Sequence, residues 1–330
     1  MKALVLHAPG DLRFEPDRAQ PDPKDGWTLV KVAASGICGS DLPRIMQTGA
    51  YCHPLIPGHE FAGTVENVAE RGRKVAVLPI IPCGKCPGCR LGPFHCEKYD
   101  FLGSRRDGGF AEYCLVPNQN LFPLPENFSL EEGAFLEPLL VALYTARRAG
   151  LKGKERVLVF GAGTIGLLIS QWARILGAGE IWVADIREES LRIAQNCGFE
   201  NVINPASDLF QRLDNFDLVF EAAGSGKALI SAVGKSAPKG TITVVGRDTK
   251  DTVLPLTIFE KIMRKEVDLR GCWGYDIRGE EKLIYSHLQS GSFNFQPMIT
   301  QRIPIEEGPE IIEKMWRKEM FYCKVLIKIT

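Results

Sequence analysis

Four thiols fall within fourteen positions of this chain, as Cys83-x2-Cys86-x2-Cys89-x6-Cys96. Four cysteines on one short loop satisfy a tetrahedral Zn2+ and leave no position open for a reactant. Such a site staples a loop and does no chemistry. Glycines at 84, 88 and 92 and prolines at 82, 87 and 93 suit a chain wrapped tightly around an ion. An iron–sulfur cluster also takes four cysteines, and a group of free thiols is a third reading. Zinc ranks above both, because the motif sits in a β-rich loop and not in a ferredoxin-like pair. In a reducing compartment such a cluster points to metal rather than disulfides. The other six cysteines (Cys38, Cys52, Cys114, Cys197, Cys272 and Cys323) stand apart, and most are expected to be ordinary buried thiols.

A second group has a different donor set. Gly36-Ile37-Cys38-Gly39-Ser40-Asp41 and Gly58-His59-Glu60 offer one thiolate, one imidazole and one carboxylate. With a fourth position open, these describe a catalytic zinc. Taken singly, Cys38 also reads as a small buried hydrophobe and His59 as a hydrogen-bonded structural residue. Glu137 lies amid Leu136, Leu139 and Leu140. A buried carboxylate needs a partner, and a metal provides one.

The third chemical signature is Gly161-Ala162-Gly163-Thr164-Ile165-Gly166, which follows a short apolar strand and opens a helix. Gly161 allows the tight turn, Gly163 lets the backbone approach a pyrophosphate, and Gly166 lets helix and strand pack closely. The helix N-terminus adds N–H groups and positive partial charge. Asp185 ends the next strand, where a carboxylate accepts hydrogen bonds from adenosine ribose hydroxyls and repels a 2′-phosphate. NAD is therefore expected over NADP, although Arg187, two residues on, is of a type that serves a phosphate.

These motifs need elements to hold them. To about Leu143 the chain is rich in Pro, Gly and short β-type runs such as Thr28–Ala33, Ala62–Val68, Lys74–Leu78 and Ala111–Val116. Glu131–Gly150 has helical spacing. From Arg156 apolar strands alternate with amphipathic helices: Arg156–Phe160, Thr164–Leu176, Ile181–Ala184, Glu188–Cys197, Asn201–Ile203, Phe216–Phe220, Thr241–Val245 and Val267–Trp273. That pattern is an α/β domain with a doubly wound parallel sheet buried on both faces. After Tyr275 come a helix (Glu280–Gln289), a strand (Ile299–Ile303), a helix (Ile311–Lys318) and a strand (Lys324–Ile329), expected to return to the first domain. The expected division is 1–143, 144–275 and 276–330. At 330 residues one core is too small an account of the chain. Forty basic residues balance forty acidic ones, which gives no pull toward nucleic acid or a membrane surface. No apolar run spans a bilayer and no signal peptide is legible, so a cytoplasmic location is expected.

In this order, Cys38–Asp41, Gly58-His59-Glu60, the four-cysteine loop and Gly161–Gly166 resemble the zinc-containing medium-chain dehydrogenases from end to end. The resemblance implies a mostly β, GroES-like catalytic domain split around a Rossmann domain. It implies two Zn2+ per chain and NAD. Glutamate at position 137, where the alcohol dehydrogenases of that family have a second cysteine ligand, is similar to the polyol and threonine dehydrogenase branch. Cys38–Arg44 and Tyr99–Tyr113 resemble the members that act on a phosphorylated polyol. There are two departures. Six residues precede Cys96 where the family usually has seven, and the loop before Gly72-Arg73-Lys74-Val75 is trimmed.

The implied catalytic zinc is held by Cys38, His59 and Glu137, with Glu60 as an exchanging or supporting ligand, and it acidifies the substrate hydroxyl. Ser40 is the expected proton carrier, or else a plain turn residue. Arg44, Arg105 and Arg106 suit a sugar phosphate, and equally a solvated surface. Trp273 and Tyr275 are expected to wall the pocket or simply to pack. The expected reaction is oxidation of a polyol or polyol phosphate, such as galactitol 1-phosphate to tagatose 6-phosphate. Free-polyol or L-threonine oxidation is the sibling reading, and a non-catalytic cofactor-binding protein the distant one. A zinc ribbon for nucleic acid lacks a basic face. A homodimer or homotetramer is expected, joined near Val267–Trp273.

Overall fold

The computed structural model describes residues 1–67 and 70–329. Val68, the end of one expected strand, lies outside them. By internal contacts the chain forms two units: Met1–Glu137 together with the segment from Arg278 onward, and Pro138–Ile277.

The first unit is organised by the strand Trp27–Gly36, whose side chains alternate between half-buried and buried as far as Ala34, as the period of two requires, and are all buried from there to its end. It pairs antiparallel with Glu60–Val65, Tyr113–Pro117 and Lys324–Lys328. The full order is Ile299–Pro304, Lys324–Lys328, Trp27–Gly36, Glu60–Val65, Lys74–Val77, Leu121–Pro123, with Tyr113–Pro117 also on the third strand. Gly36 faces Glu60 on one side and Leu326 on the other. This register draws three distant stretches of sequence to one strand end. Leu4, Val30, Val32, Phe61, Val75, Val325 and Ile327 form the core behind it.

The second unit holds six parallel strands in the order Val202–Ile203, Glu180–Ala184, Arg156–Phe160, Phe216–Glu221, Ser236–Val244, Asp268–Gly271. In chain order this is 3-2-1-4-5-6, the doubly wound Rossmann arrangement. Leu158, Phe160, Val219 and Ile242 fill part of its core. Trp172, in the helix Thr164–Ile175, is fully buried and donates Nε1–H to the Leu139 carbonyl at 3.0 Å.

Some expected elements differ. Glu131–Gly150 is two helices, Leu130–Gly133 and Leu136–Ala149, the first with a Ser129–Glu132 capping box. Pro138 explains the break. Its missing N–H is harmless in the first turn of a new helix and would interrupt a continuous one. The strand expected at Thr241 begins at Ser236, because Pro238 and Gly240 fall at a register shift instead of in a turn. Three further helices, Asp208–Arg212, Gly226–Lys235 and Leu256–Lys265, fill crossovers that parallel strands demand. Among the described residues no helix is long and apolar enough to cross a membrane.

Trp172→Ala removes a fully buried indole and its hydrogen bond. The expected loss is about 3–5 kcal/mol of unfolding free energy, measured by urea denaturation. A loss under about 1 kcal/mol would show that the helix does not depend on this contact.

Candidate functional site

The four-cysteine loop forms a cage. Sulfur separations are 3.8 Å for Cys83–Cys89, 3.5 Å for Cys86–Cys89 and 3.8 Å for Cys86–Cys96. Four thiolates about 2.3 Å from one zinc stand roughly 3.8 Å apart, whereas a disulfide needs about 2.0 Å. Pro87–Leu91 is a short helix that returns Cys89 toward Cys86. A turn at Pro93–His95 then delivers Cys96, so six intervening residues suffice to close the cage. Gly88 has no room for a side chain, since a Cβ there would lie 1.9 Å from the His95 carbonyl oxygen. The backbone N–H groups of Lys85 and Cys86 hold the Cys83 thiol down at about 6. Burial, with the neighbouring sulfurs, pushes Cys89 up to about 12. The four cannot all ionise without a cation between them, and zinc fits the set.

The second group lies in the first unit, with His59 and Glu60 buried and Cys38 half-buried. Cys38, His59 and Glu60 each offer a ligand atom within 4.8 Å of the others. Cys38 follows the central strand in a tight turn where its N–H donates to Asp41 Oδ2 at 3.1 Å. Gly58 stands at φ +91°, and a Cβ on it would strike the Phe110 ring at 2.4 Å. Only glycine turns the chain there to present His59.

Asp41 was not among the residues expected from sequence. It is fully buried, with Oδ1 3.1 Å from His59 Nδ1, off the line of a hydrogen bond, and 3.1 Å from Arg44 Nη1. Burial opposes a charged His59, but Asp41 and Cys38 outweigh it and hold the imidazole well above its ordinary range. Burial likewise opposes the Asp41 carboxylate, and His59 and Arg44 outweigh it. A carboxylate behind a histidine fixes the ring of a metal ligand. The available signal was its place three residues after Cys38.

Lys324 is the second unexpected residue. Its buried Nζ lies 2.5 Å from Glu60 Oε2 and donates to the Ile37 carbonyl at 3.3 Å. Burial works against its charge, and Glu60 and Cys38 restore and raise it. Gly36 makes this pairing possible, because a Cβ there would stand 2.4 Å from Glu60 Oε2. No local pattern marks Lys324, which is 264 positions from Glu60.

Glu137 is outside the convergent set. The three that converge are Cys38, His59 and Glu60, not Cys38, His59 and Glu137. Glu137 sits in the first turn of Leu136–Ala149 and shares the field of that group. Burial pushes its carboxyl up to about 7, opposed by His59 and reinforced by Glu60. Ser40 donates to Cys38 Sγ at 3.3 Å. The three arginines have different surroundings. Arg44 is paired with Asp41, Arg106 with Asp100, and Arg105 lies over the rings of Tyr51 and Tyr99. Trp273, in the second unit, is 65% exposed.

In that second unit Gly161 has φ +97°, and a Cβ would meet Ala223 N at 2.8 Å. Gly163 faces open space, and Gly166 abuts the Gly161 carbonyl oxygen. Gly163 caps the helix that starts with Thr164 and Ile165. Asp185 accepts from Ala162 N–H at 2.8 Å and Arg187 N–H at 2.9 Å, one on each oxygen. A dinucleotide fits a bare glycine approach beside a held carboxylate. Glu221, not anticipated, is buried and accepts from Ala223 and Ser225 N–H, shaping the turn that touches Gly161.

Residues 24–126 match the family model of the alcohol dehydrogenase GroES-like domain, and 164–289 that of the zinc-binding dehydrogenase. Galactitol 1-phosphate 5-dehydrogenase of Escherichia coli is 37% identical over 338 residues, 97% of this chain and 98% of that protein. The crystal structure of galactitol-1-phosphate dehydrogenase from Escherichia coli superposes with a TM-score of 0.90 at 34% identity, covering both chains completely. A zinc-binding dehydrogenase from Sinorhizobium meliloti bound to NADP has a TM-score of 0.90 at 28% identity over 99% of each chain. A short chain alcohol dehydrogenase from Escherichia coli complexed with NADH has 0.89 at 28%, over 100% of this chain and 99% of that one.

Asp41→Asn keeps the shape behind His59 and removes the charge. It is expected to weaken zinc retention about 10- to 100-fold, read by competition with a chromophoric chelator. Unchanged retention would remove Asp41 from the metal site.

Proposed function

This chain belongs to the zinc-binding dehydrogenases of the medium-chain alcohol dehydrogenase family, and on that premise we propose that it oxidises a secondary alcohol of a polyol phosphate with NAD, galactitol 1-phosphate to tagatose 6-phosphate. The observation that carries the reading is the convergence of a half-buried thiol, Cys38, with the buried imidazole of His59 and the buried carboxylate of Glu60. When bound, zinc acidifies an alcohol hydroxyl and NAD accepts the hydride.

The chain's own residues divide the remaining work. Cys38, His59 and Glu60 hold the metal, with Glu137 beside them as an alternate carboxylate. Asp41 orients His59, and Lys324 orients Glu60. Ser40, half-buried against Cys38 Sγ, carries the hydroxyl proton outward. Gly161, Gly163 and Gly166 with Thr164 and Ile165 receive the pyrophosphate, and Asp185 the ribose. The likeness to known structures favours neither nucleotide, since one neighbour holds NADP and another NADH. Asp185 supports NAD, because a carboxylate held by two N–H groups repels a 2′-phosphate. The same reading is of a homodimer or homotetramer in the cytoplasm. Exposed Leu269, Trp273, Val253, Leu256, Phe259 and Met263, at and near the edge strand Asp268–Gly271, support self-association.

The test is NADH absorbance across polyols, polyol phosphates and threonine, with and without a zinc chelator. Strong, chelator-sensitive turnover of galactitol 1-phosphate is expected. Turnover of unphosphorylated alcohols alone would remove the phosphate from the proposal, and no turnover at all would remove the reaction. Asp185→Ala should narrow the preference for NAD over NADP by at least tenfold in kcat/KM. An unchanged ratio would show that the choice lies elsewhere. Light scattering giving a single chain mass would overturn the oligomer.

A further inference from the structure

We infer that Arg105 is the one residue of the three arginines that grips the substrate's phosphate monoester, and that Tyr51 and Tyr99 hold its guanidinium for that purpose. This rests on the reading of the substrate as a polyol phosphate.

The three cations are not equivalent. Arg44 is spent on buried Asp41. Arg106 pairs with Asp100. Arg105 has no carboxylate partner among the described residues, and its Nε is buried without an acceptor. The acidic neighbours in sequence are already engaged. Asp100 accepts from Arg106 and from Phe101 N–H, and Asp107 accepts from Ile56 N–H at 2.9 Å. A buried donor without an acceptor carries a penalty of desolvation that an arriving anion removes.

Two aromatic rings also hold the guanidinium. Its carbon lies 3.8 Å from the centroid of the Tyr51 ring and 4.7 Å from that of Tyr99. Cation–π attraction to two rings restrains the guanidinium, and a guanidinium fork offers two parallel N–H···O bonds, the geometry that a phosphate accepts. Tyr51 is 68% exposed, so the clamp opens to solvent. Lysine, a point charge on a flexible stem, reproduces neither property.

The loop that carries Arg105 is fastened to the metal group by backbone. Arg105 N–H donates to the Phe101 carbonyl at 2.9 Å, and the Phe101 ring lies 5.7 Å from that of His59. Gly108 N–H donates to Ile56 and Gly109 N–H to Gly58. Cβ atoms at Gly103 and Gly108 would stand 2.5 and 2.0 Å from the Gly58 carbonyl oxygen, so both strands of the loop press directly on the residue before His59. A cation and a metal ligand in fixed relation suit a substrate with a reacting hydroxyl and a phosphate on one chain of carbons.

The test compares galactitol 1-phosphate with galactitol in the NAD-linked assay, alongside calorimetric titration with inorganic phosphate. Arg105→Ala should lower kcat/KM for the phosphate ester about 10- to 100-fold more than for the free polyol. Arg105→Lys should recover only part of this. Arg106→Ala should move both substrates by a common factor. Tyr51→Leu should raise KM for the ester, and Tyr51→Phe, which keeps the ring, should restore it. Equal losses on both substrates in Arg105→Ala, or a selective loss in Arg106→Ala instead, would overturn the assignment while leaving the dehydrogenase reading intact. If the wild type shows no preference for the ester, the reading of the substrate falls and the phosphate titration decides the site. Phosphate binding that disappears in Arg105→Ala keeps it as an anion site, and no binding to the wild type overturns it.

Discussion

The contact on which the first unit depends is the buried pair of Lys324 and Glu60. Glu60 begins an early strand and Lys324 the last one, so the pair forms only when the chain returns after Ile277 to complete the sheet. A buried carboxylate without a partner costs several kcal/mol. Three groups able to carry negative charge, Cys38, Asp41 and Glu60, converge here against Lys324 and Arg44. His59 is aimed into the same group, and a divalent cation that takes the place of its proton meets the thiolate and carboxylate beside it. Fold and metal chemistry are then one requirement: the strand that closes the sheet also brings the ammonium that lets Glu60 be buried.

Close backbone approach is the second requirement, and glycine meets it at fixed places. Gly36 yields its Cβ volume to the Glu60 carboxylate, and Gly58 yields to Phe110. The cysteine loop acts on the same region through rings. Phe94, within that loop, meets Phe101 edge-on at 6.2 Å, and Phe101 leans on His59. On the proposed reading, a cage that does no chemistry thereby braces the aromatic support of His59, a ligand of the metal that does. The spacing of Cys96, one residue shorter than the family habit, leaves this intact because the turn at Pro93–His95 supplies the reach.

Local patterns carried much of this into the sequence. GxGxxG between a strand and a helix, alternating apolar strands, and four cysteines on one loop are short-range signals. Their physics is complete within thirty residues or so, and the parallel sheet lies where they point. What escaped is long-range. Lys324 is an ordinary strand residue until the sheet is assembled, and Asp41 is an ordinary turn acid until Gly58 swings His59 toward it. The weight given to Glu137 over Glu60 came from its apolar neighbours in sequence and from the resemblance, in which this position carries a metal ligand. Burial does act on Glu137, raising its carboxyl to about 7, but the strand register puts Glu60 nearer Cys38 and His59. The single helix read over Glu131–Gly150 failed for a local reason, the proline whose cost depends on where the helix starts.

On the proposed reading of the cofactor as NAD, a single carboxylate carries a preference that the fold leaves open. The glycine turn accepts a pyrophosphate from either cofactor, since backbone N–H groups at a helix start do not reach the ribose. Asp185 meets Ala162 N–H with one oxygen and Arg187 N–H with the other. Both bonds come from main chain, so the carboxylate cannot turn aside to admit a 2′-phosphate without stranding two donors. Arg187 lends its backbone to that hold while its side chain points from an exposed position. On that reading the cation that would welcome the phosphate helps to fix the anion that refuses it, and a shift toward NADP is expected from removing Asp185, not from merely keeping Arg187.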